Sequence, residues 1–313
     1  MATNHRWSKD DIPDLTGKTA VVTGANSGLG FQTTRGLAGK RARVVLACRD
    51  VEKGQQAAEN IRTEYPAASL AVMRLDLADL ASIHSFADAF IRTHQDLHIL
   101  CNNAGVMAIP LRRTVDGFEM QFGTNHLGHF ALTGLLLERL LQADAGRVVT
   151  VSSSAHRTGK IDFDNLNAER SYHKWAAYSQ SKLANLLFAY ELQRKFEANG
   201  ARAISVVTHP GYAATNLQSQ GPSMAGSTLL GWVMRLGNRL FAQSPEMGAL
   251  PSLYAATAPD IQGGDFIGPD GFMGQWGYPT RVHSSQRSHD EDTARKLWAV
   301  SEELTSVHYY LET

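Results

Sequence analysis

Short β-branched runs recur along this chain, and a helical stretch follows most of them. The runs are "TAVVT" (Thr19–Thr23), "RVVLA" (Arg43–Ala47), "LAVMRL" (Leu70–Leu75), "HILCN" (His98–Asn102), "RVVTVS" (Arg147–Ser152) and "AISVVT" (Ala203–Thr208). They are apolar throughout and do not alternate. A strand with no polar face must be covered on both sides, and helices between such strands supply the cover, which is the pattern of a parallel sheet. Right-handed crossovers make that sheet doubly wound. The prediction is an α/β fold with about seven strands, a weak last one near Phe266, and helices on both faces.

Helices are expected up to about Gly39, over about Ser82–His94, over a long region of about Val115–Ala143, from the Tyr178 region to about Phe196, and last near Glu246–Ala258. No linker or repeat divides residues 1–313, so one domain is expected, with 43% hydrophobic residues to fill its core. About 212–244 lacks a clean period and reads as a substrate flap, and Gly268–Val282 reads as a loop. Lys+Arg and Asp+Glu each number 30, a balance that gives no reason to expect nucleic acid or an acidic membrane as a partner. The two cysteines, Cys48 and Cys101, make neither a disulfide framework nor a metal spacing, which fits a cytoplasmic setting and no metal. The N-terminal residues read as neither signal peptide nor anchor, and no segment approaches the roughly 18 apolar residues of a membrane span.

"TGANSGLG" (Thr23–Gly30) follows the first strand and opens a helix. Glycines there allow a tight turn and close backbone approach, and the helix N-terminus offers free N–H groups to a pyrophosphate. That makes the predicted sheet Rossmann-type. Farther on, "AAYSQSKLANL" (Ala176–Leu186) sets Tyr178 and Lys182 four residues apart, neighbours on a helix. A phenol with an ordinary pKa near ~10 is a poor base at neutral pH, and a nearby ammonium is expected to lower it. The pair then reads as an acid–base device, or else as an exposed pair on a solvated face.

The order of these motifs resembles the short-chain dehydrogenase/reductase family, whose pattern is T-G-x-x-x-G-x-G early and Y-x-x-x-K late. "NNAG" (Asn102–Gly105), "NHLGHF" (Asn125–Phe130), "VSSSAH" (Val151–His156) and "HPG" (His209–Gly211) fall in register with it, and the likeness spans roughly Leu15 to Val282. The resemblance implies a dinucleotide held by Gly24, Asn26, Ser27, Gly28, Leu29 and Gly30, by Asp76 and Leu77 on the adenine side, and by Asn103, Ala104 and Gly105 at the cleft floor. Pro210, Gly211 and Thr215 would lie at the nicotinamide end, with Tyr178 and Lys182. It also implies Tyr178 as general acid and base, Lys182 as its partner, Ser153 as the hydroxyl that orients the substrate oxygen, and Asn125 in a proton relay. Ser152 and Ser154 are close rivals of Ser153. His126 and His129 read as structural. Asp76 also suits a helix N-cap.

The residue that ends the second strand is usually an acid when the cofactor is NAD; here Cys48 stands there and Arg49 follows. A guanidinium suits a 2′-phosphate, so NADP(H) is favoured over NAD(H), unless Arg49 pairs with Asp50 or Glu52 instead. Ser153 and Tyr178 are 25 residues apart, against about a dozen in many members. The extra segment, about 154–175, resembles the retinol dehydrogenase-like and protochlorophyllide reductase-like branch. The expected activity is NADP(H)-dependent interconversion of an alcohol and a carbonyl on a small hydrophobic molecule. Met224, Leu229, Leu230, Trp232, Val233 and Met234 of the flap and Phe272, Met273 and Trp276 of the late loop would meet the substrate, or simply pack. The alternative is a nucleotide-binding redox sensor or scaffold, which would not need the Asn125, Ser153, Tyr178 and Lys182 set. A homodimer or homotetramer is compatible with the sequence, and so is a monomer.

Overall fold

All six apolar runs are strands of one sheet. The structure, a computed structural model, describes residues 6–212 and 243–311. The strands are β1 (Thr19–Thr23), β2 (Arg43–Cys48), β3 (Leu70–Arg74), β4 (Ile99–Asn102), β5 (Arg147–Val151), β6 (Ile204–Thr208) and β7 (Phe266–Pro269). An eighth, β8 (Pro279–Arg281), pairs antiparallel with β7 inside the segment expected to be a loop. The spatial order is β3-β2-β1-β4-β5-β6-β7-β8, and every pairing before β7–β8 is parallel. Strand order reverses between β1 and β4, and a crevice opens beyond the carboxyl ends of strands at such a point.

The described helices are α1 (Gly28–Gly39), α2 (Val51–Glu64), α3 (Leu80–Thr93), α4 (Met120–Phe122), α5 (Gly128–Leu135), α6 (Leu137–Gln142), α7 (Lys174–Ala198), α8 (Pro245–Thr257) and α9 (Glu291–Thr305). Side chains of a strand alternate between faces, and the two cores follow that alternation. Val22, Val44 and Leu46 pack with Leu37, Ile61 and Leu253 of α1, α2 and α8. Val21, Val45 and Ala47 pack on the other face with Phe86, Phe130, Phe188 and Trp298 of α3, α5, α7 and α9.

The long helical region begins at Met120, later than expected, and it is not continuous. Glu119 caps it through the N–H groups of Gln121 and Phe122. Over Gly123–Leu127 the backbone takes a π-turn, in which the Gly128 N–H reaches back five residues to the Gly123 carbonyl. The helix α9 lies beyond the one expected to be last.

Candidate active site

The glycine turn is built as the sequence requires. Gly24 and Gly28 take positive φ values of 65° and 56°, which favour glycine. A Cβ on Gly30 would fall against the Gly24 carbonyl and 2.6 Å from Asn103 Nδ2. Ser27 precedes α1 without capping it through its side chain, whereas Asp50, Asp79 and Asp290 cap α2, α3 and α9. The first turn of α1 therefore opens with its amides free of a side-chain acceptor, toward a cleft of about 370 Å³.

That cleft fits a dinucleotide phosphate in its donor chemistry. Gly24 and Asn26, Ser27, Gly28, Leu29 and Gly30 form one wall. Asp76 and Leu77 follow β3 on a second, and Asn103, Ala104 and Gly105 follow β4 as the floor. Asp79, not Asp76, caps α3, and Asp76 Oδ1 instead accepts the Ala78 N–H at 3.0 Å. Arg49 stands exposed at the rim. The alternative pairing of Arg49 is not seen: Asp50 pairs with Lys53 at 2.9 Å. Lys53 also lines the cleft, a second cation that the sequence reading did not single out. Its signal was its place in the first turn of α2, just after Arg49. Val106 and Thr124 line the cleft where the floor meets the π-turn, and Ala47, Asp50 and Leu75 line it as well; the sequence reading placed none of these five there.

Cys48 is buried at 1% exposure, and burial pushes its thiol up to about 11 against hydrogen bonds from the Ala25 and Asn26 backbone. A neutral sulfur thus braces the glycine turn from below.

The chemistry-bearing side chains meet where β5 ends. Tyr178 and Lys182 are buried on α7, at 4% and 2% exposure, which excludes the solvated-pair reading. Lys182 Nζ donates to the Val151 carbonyl at 3.0 Å and lies 5.9 Å from the Tyr178 ring centroid. A Cβ on Gly105 would stand 3.7 Å from that Nζ and 3.0 Å from Asn125 Oδ1, so lysine and asparagine both border the cleft floor. Asn125 pairs with Val106 in both directions, Oδ1 accepting its N–H at 2.8 Å and Nδ2 donating to its carbonyl at 2.9 Å. Nδ2 also donates to Ser181 Oγ at 2.9 Å.

Ser152 Oγ is spent on the Lys182 carbonyl at 2.7 Å. Ser153 Oγ accepts the Ala155 N–H at 3.2 Å and stands close enough to the Tyr178 hydroxyl to favour its charged form. The three serines are thereby distinguished by their partners. Ser154 turns instead to a second cavity of about 220 Å³, lined also by His209, Met273 and Gly274.

Burial dominates the electrostatics. It pushes Tyr178 up to about 12, against the lowering effect of the nearby Ser153 hydroxyl, and pushes Lys182 down to about 8. The lowered phenol expected from the Tyr178–Lys182 spacing is therefore not what the protein's own charges produce: desolvation outweighs an ammonium that is turned to the Val151 carbonyl.

Pro210 and Gly211 sit just past β6, outside the cleft lining; the Pro210 carbonyl accepts from Gln243 Nε2 at 2.6 Å. Thr215 and the flap residues Met224, Leu229, Leu230, Trp232, Val233 and Met234 lie outside the described residues. Phe272, Met273 and Trp276 of the late loop are 77%, 78% and 38% exposed. The segment after Ser153 makes one tight turn over Ser154–Thr158 and then docks on the loop before α4: Asn167 Oδ1 accepts the Glu119 N–H at 3.0 Å, and the Tyr172 hydroxyl donates to the Ile109 carbonyl at 2.7 Å. Among the described residues no helix is long and apolar enough to cross a membrane.

The sequence model of the short chain dehydrogenase family matches residues 18–225. Retinol dehydrogenase 12 of Mus musculus is 42% identical over 297 residues, 94% of this chain and 88% of that one. Retinol dehydrogenase 13 of Homo sapiens is 43% identical over 304 residues, 96% of this chain and 87% of that one. Among solved structures, an uncharacterised protein from Mycobacterium Paratuberculosis is similar at a TM-score of 0.81 and 43% identity, covering 98% of this chain and 100% of that chain. A short chain dehydrogenase from Shigella flexneri, solved with NADP, shares the fold at a TM-score of 0.63 and 23% identity, over 81% of this chain and 97% of that chain.

Proposed function

The chain belongs to the short-chain dehydrogenase family, as an oxidoreductase acting on the CH–OH group, and from that premise we propose that it uses NADP(H) to interconvert a hydrophobic alcohol and its carbonyl, with Tyr178 as general acid and base. The observation that carries the reading is the meeting of Ser153, Tyr178 and Lys182 at the end of β5, beside Gly105 of the cleft floor.

The dinucleotide, when bound, supplies the hydride donor or acceptor. The turn Gly24–Gly30 would hold its phosphates, Asp76 and Leu77 its adenine side, and Asn103, Ala104 and Gly105 its nearer ribose. Pro210, Gly211 and Thr215 would serve the nicotinamide end. Arg49, exposed at the rim, favours a 2′-phosphate over a bare hydroxyl, while the charge of Lys53 on the same lining is balanced by Asp50. The chain's own residues move the proton. In reduction the Tyr178 hydroxyl gives its proton to the substrate oxygen, and in oxidation it takes one back. The Ser153 hydroxyl donates to the same oxygen and shares the developing charge. Lys182 supplies positive charge close by, and Asn125, tied to Val106 and Ser181, would hold the proton path behind it.

A hydrophobic substrate is supported by two observations. Phe272 and Met273 stand exposed on the loop that borders the Ser154 cavity. The relatives at 42% and 43% identity are named for retinol, an apolar alcohol.

The test is Tyr178→Phe against a panel of hydrophobic aldehydes, ketones and alcohols with both cofactors. Turnover should disappear while NADPH affinity stays within a few-fold, and normal activity would sink the mechanism. Arg49→Asp should weaken NADPH binding roughly tenfold to a hundredfold, the worth of a charge-assisted hydrogen bond, and NADH binding far less. An unchanged ratio of the two affinities would remove Arg49 from cofactor choice.

A further inference from the structure

His129 lies on α5, four residues after Asn125, and its ring is 1% exposed. Its Nδ1 is 3.0 Å from the Asn125 carbonyl oxygen, and its Nε2 is 2.9 Å from the Thr23 hydroxyl. A carbonyl oxygen only accepts, so Nδ1 carries the hydrogen. Burial pushes the ring down to about 4, which leaves it neutral at physiological pH with a bare lone pair on Nε2. The Thr23 hydroxyl must then donate to that lone pair. Its oxygen meanwhile accepts the N–H groups of Asn103 and Ala104, each at 2.9 Å. The competing acceptor for the same proton, the Cys101 carbonyl, is farther away at 3.3 Å.

The donations thus run one way. They start at two amides of the cleft floor, pass through Thr23 and the imidazole, and end on the Asn125 carbonyl. Each bond in such a chain polarises the next. Both ends matter: Thr23 is the last residue of β1 before the glycine turn, and Asn125 sits in the π-turn beside Lys182.

We infer that His129 is a positioning residue with two separable tasks: through Nδ1 it holds the π-turn backbone at Asn125, and so the Asn125 side chain of the proposed proton path, and through Nε2 it fixes Thr23 and with it the floor of the dinucleotide cleft. The first task rests on the reaction proposed above; the second does not.

Two amide substitutions separate the tasks. His129→Asn keeps a donor near Nδ1 and gives up Nε2. It should leave kcat at saturating NADPH within a few-fold and weaken NADPH binding. His129→Gln keeps a polar atom near Nε2 and gives up Nδ1. It should leave NADPH binding within a few-fold and lower kcat by roughly ten- to a hundredfold, the cost of a displaced group at a reacting centre. NADPH affinity is read by fluorescence titration, which needs no turnover, and Tm is measured for both proteins. Thr23→Val attacks the bridge from its other end and should repeat the His129→Asn pattern, so the inference stays testable if one histidine variant does not fold. A packing role alone predicts that kcat and affinity fall together with Tm in both histidine variants, and that result would overturn the inference. Normal turnover in Tyr178→Phe would instead overturn the reaction, while the affinity difference between the two histidine variants would still decide the second task.

Discussion

Tyr178 and Lys182 are moved in opposite directions by one cause. Burial disfavours whichever form is charged, so the phenol rises to about 12 and the ammonium falls to about 8. At neutral pH the phenol keeps its proton and most lysines keep their charge, which is the acid form of the pair. As pH rises through about 8 the lysine charge is lost while Tyr178 remains protonated. Carbonyl reduction at saturating NADPH is therefore expected to hold below about 8 and to decline above it. A kcat profile that stays flat well beyond that point would exclude Lys182 as the source of the charge. His126 makes a stability prediction of the same kind. Its ring is 1% exposed among Phe122, Phe130 and Phe188, with Nδ1 unpartnered, and burial holds it near about 3 against an ordinary 6.5. Between those values the unfolded chain binds a proton that the folded ring refuses. Stability is thus full above 6.5 and is lost as pH falls through that window, by about 1.4 kcal/mol per pH unit. Urea unfolding of His126→Phe should show a shallower loss there, and an unchanged slope would acquit the histidine. At this scale the sequence was readable where function needs local spacing, as with Tyr178 and Lys182. The His129–Thr23 contact joins residues 106 positions apart, and no local pattern announces it.

The elements differ in how openly their sequences declare them. The strands β1, β2 and β5 are buried along almost their whole length, so their unbroken apolar runs were sufficient. The region before β5 was harder. Its period predicts one long helix, but Gly123 and Gly128 bracket a π-turn that depends on tertiary contact. A Cβ at Gly128 would meet the Leu77 carbonyl at 2.5 Å and the Leu77 Cβ at 3.0 Å. The absence of a side chain lets α5 lie directly on the backbone that follows β3. Gly128→Ala would push α5 away from Leu77, which lines the cleft. The expected cost is about 1–3 kcal/mol, as for other overpacked sites, together with weaker NADPH binding. Chemical denaturation and cofactor titration check the two parts, and wild-type values in both would show that the helix has room to spare. The Pro/Gly-rich surroundings of β8 carry loop signals, and the edge of β7 gives that strand its partner.

The molecule as a whole explains α7, whose sequence is hard to read alone. From Tyr178 to Gln193 every residue of α7 is buried, so the helix has no water-facing side to give it a period. One side lies on the sheet, and the other needs a cover that the sequence reading did not supply. That cover is α9 and the chain after it. Ala294, Leu297, Trp298, Ser301 and Thr305 form its buried stripe, at helical spacing that was present in the sequence. Trp298 stacks on Phe188 at 5.8 Å and meets Phe130 edge-on at 5.1 Å, and the Tyr309 hydroxyl donates to the Phe130 carbonyl at 2.7 Å. The His126 ring donates to or accepts from Ser301 at 2.8 Å, so the same cover reaches the π-turn of Asn125. Support for the proposed proton path therefore comes from the far end of the chain. Trp298→Ala should cost about 3–5 kcal/mol of stability through the cavity it leaves. Ending the chain before Asp290 should do more: it would bare Phe130 and Phe188, which are 0% and 3% exposed. That surface would seek a partner, so the shortened chain should elute as larger species in size-exclusion chromatography, bind a hydrophobic dye and lose turnover. A shortened chain that matched the full one in elution volume and kcat would show that α9 only decorates the α5–α7 face.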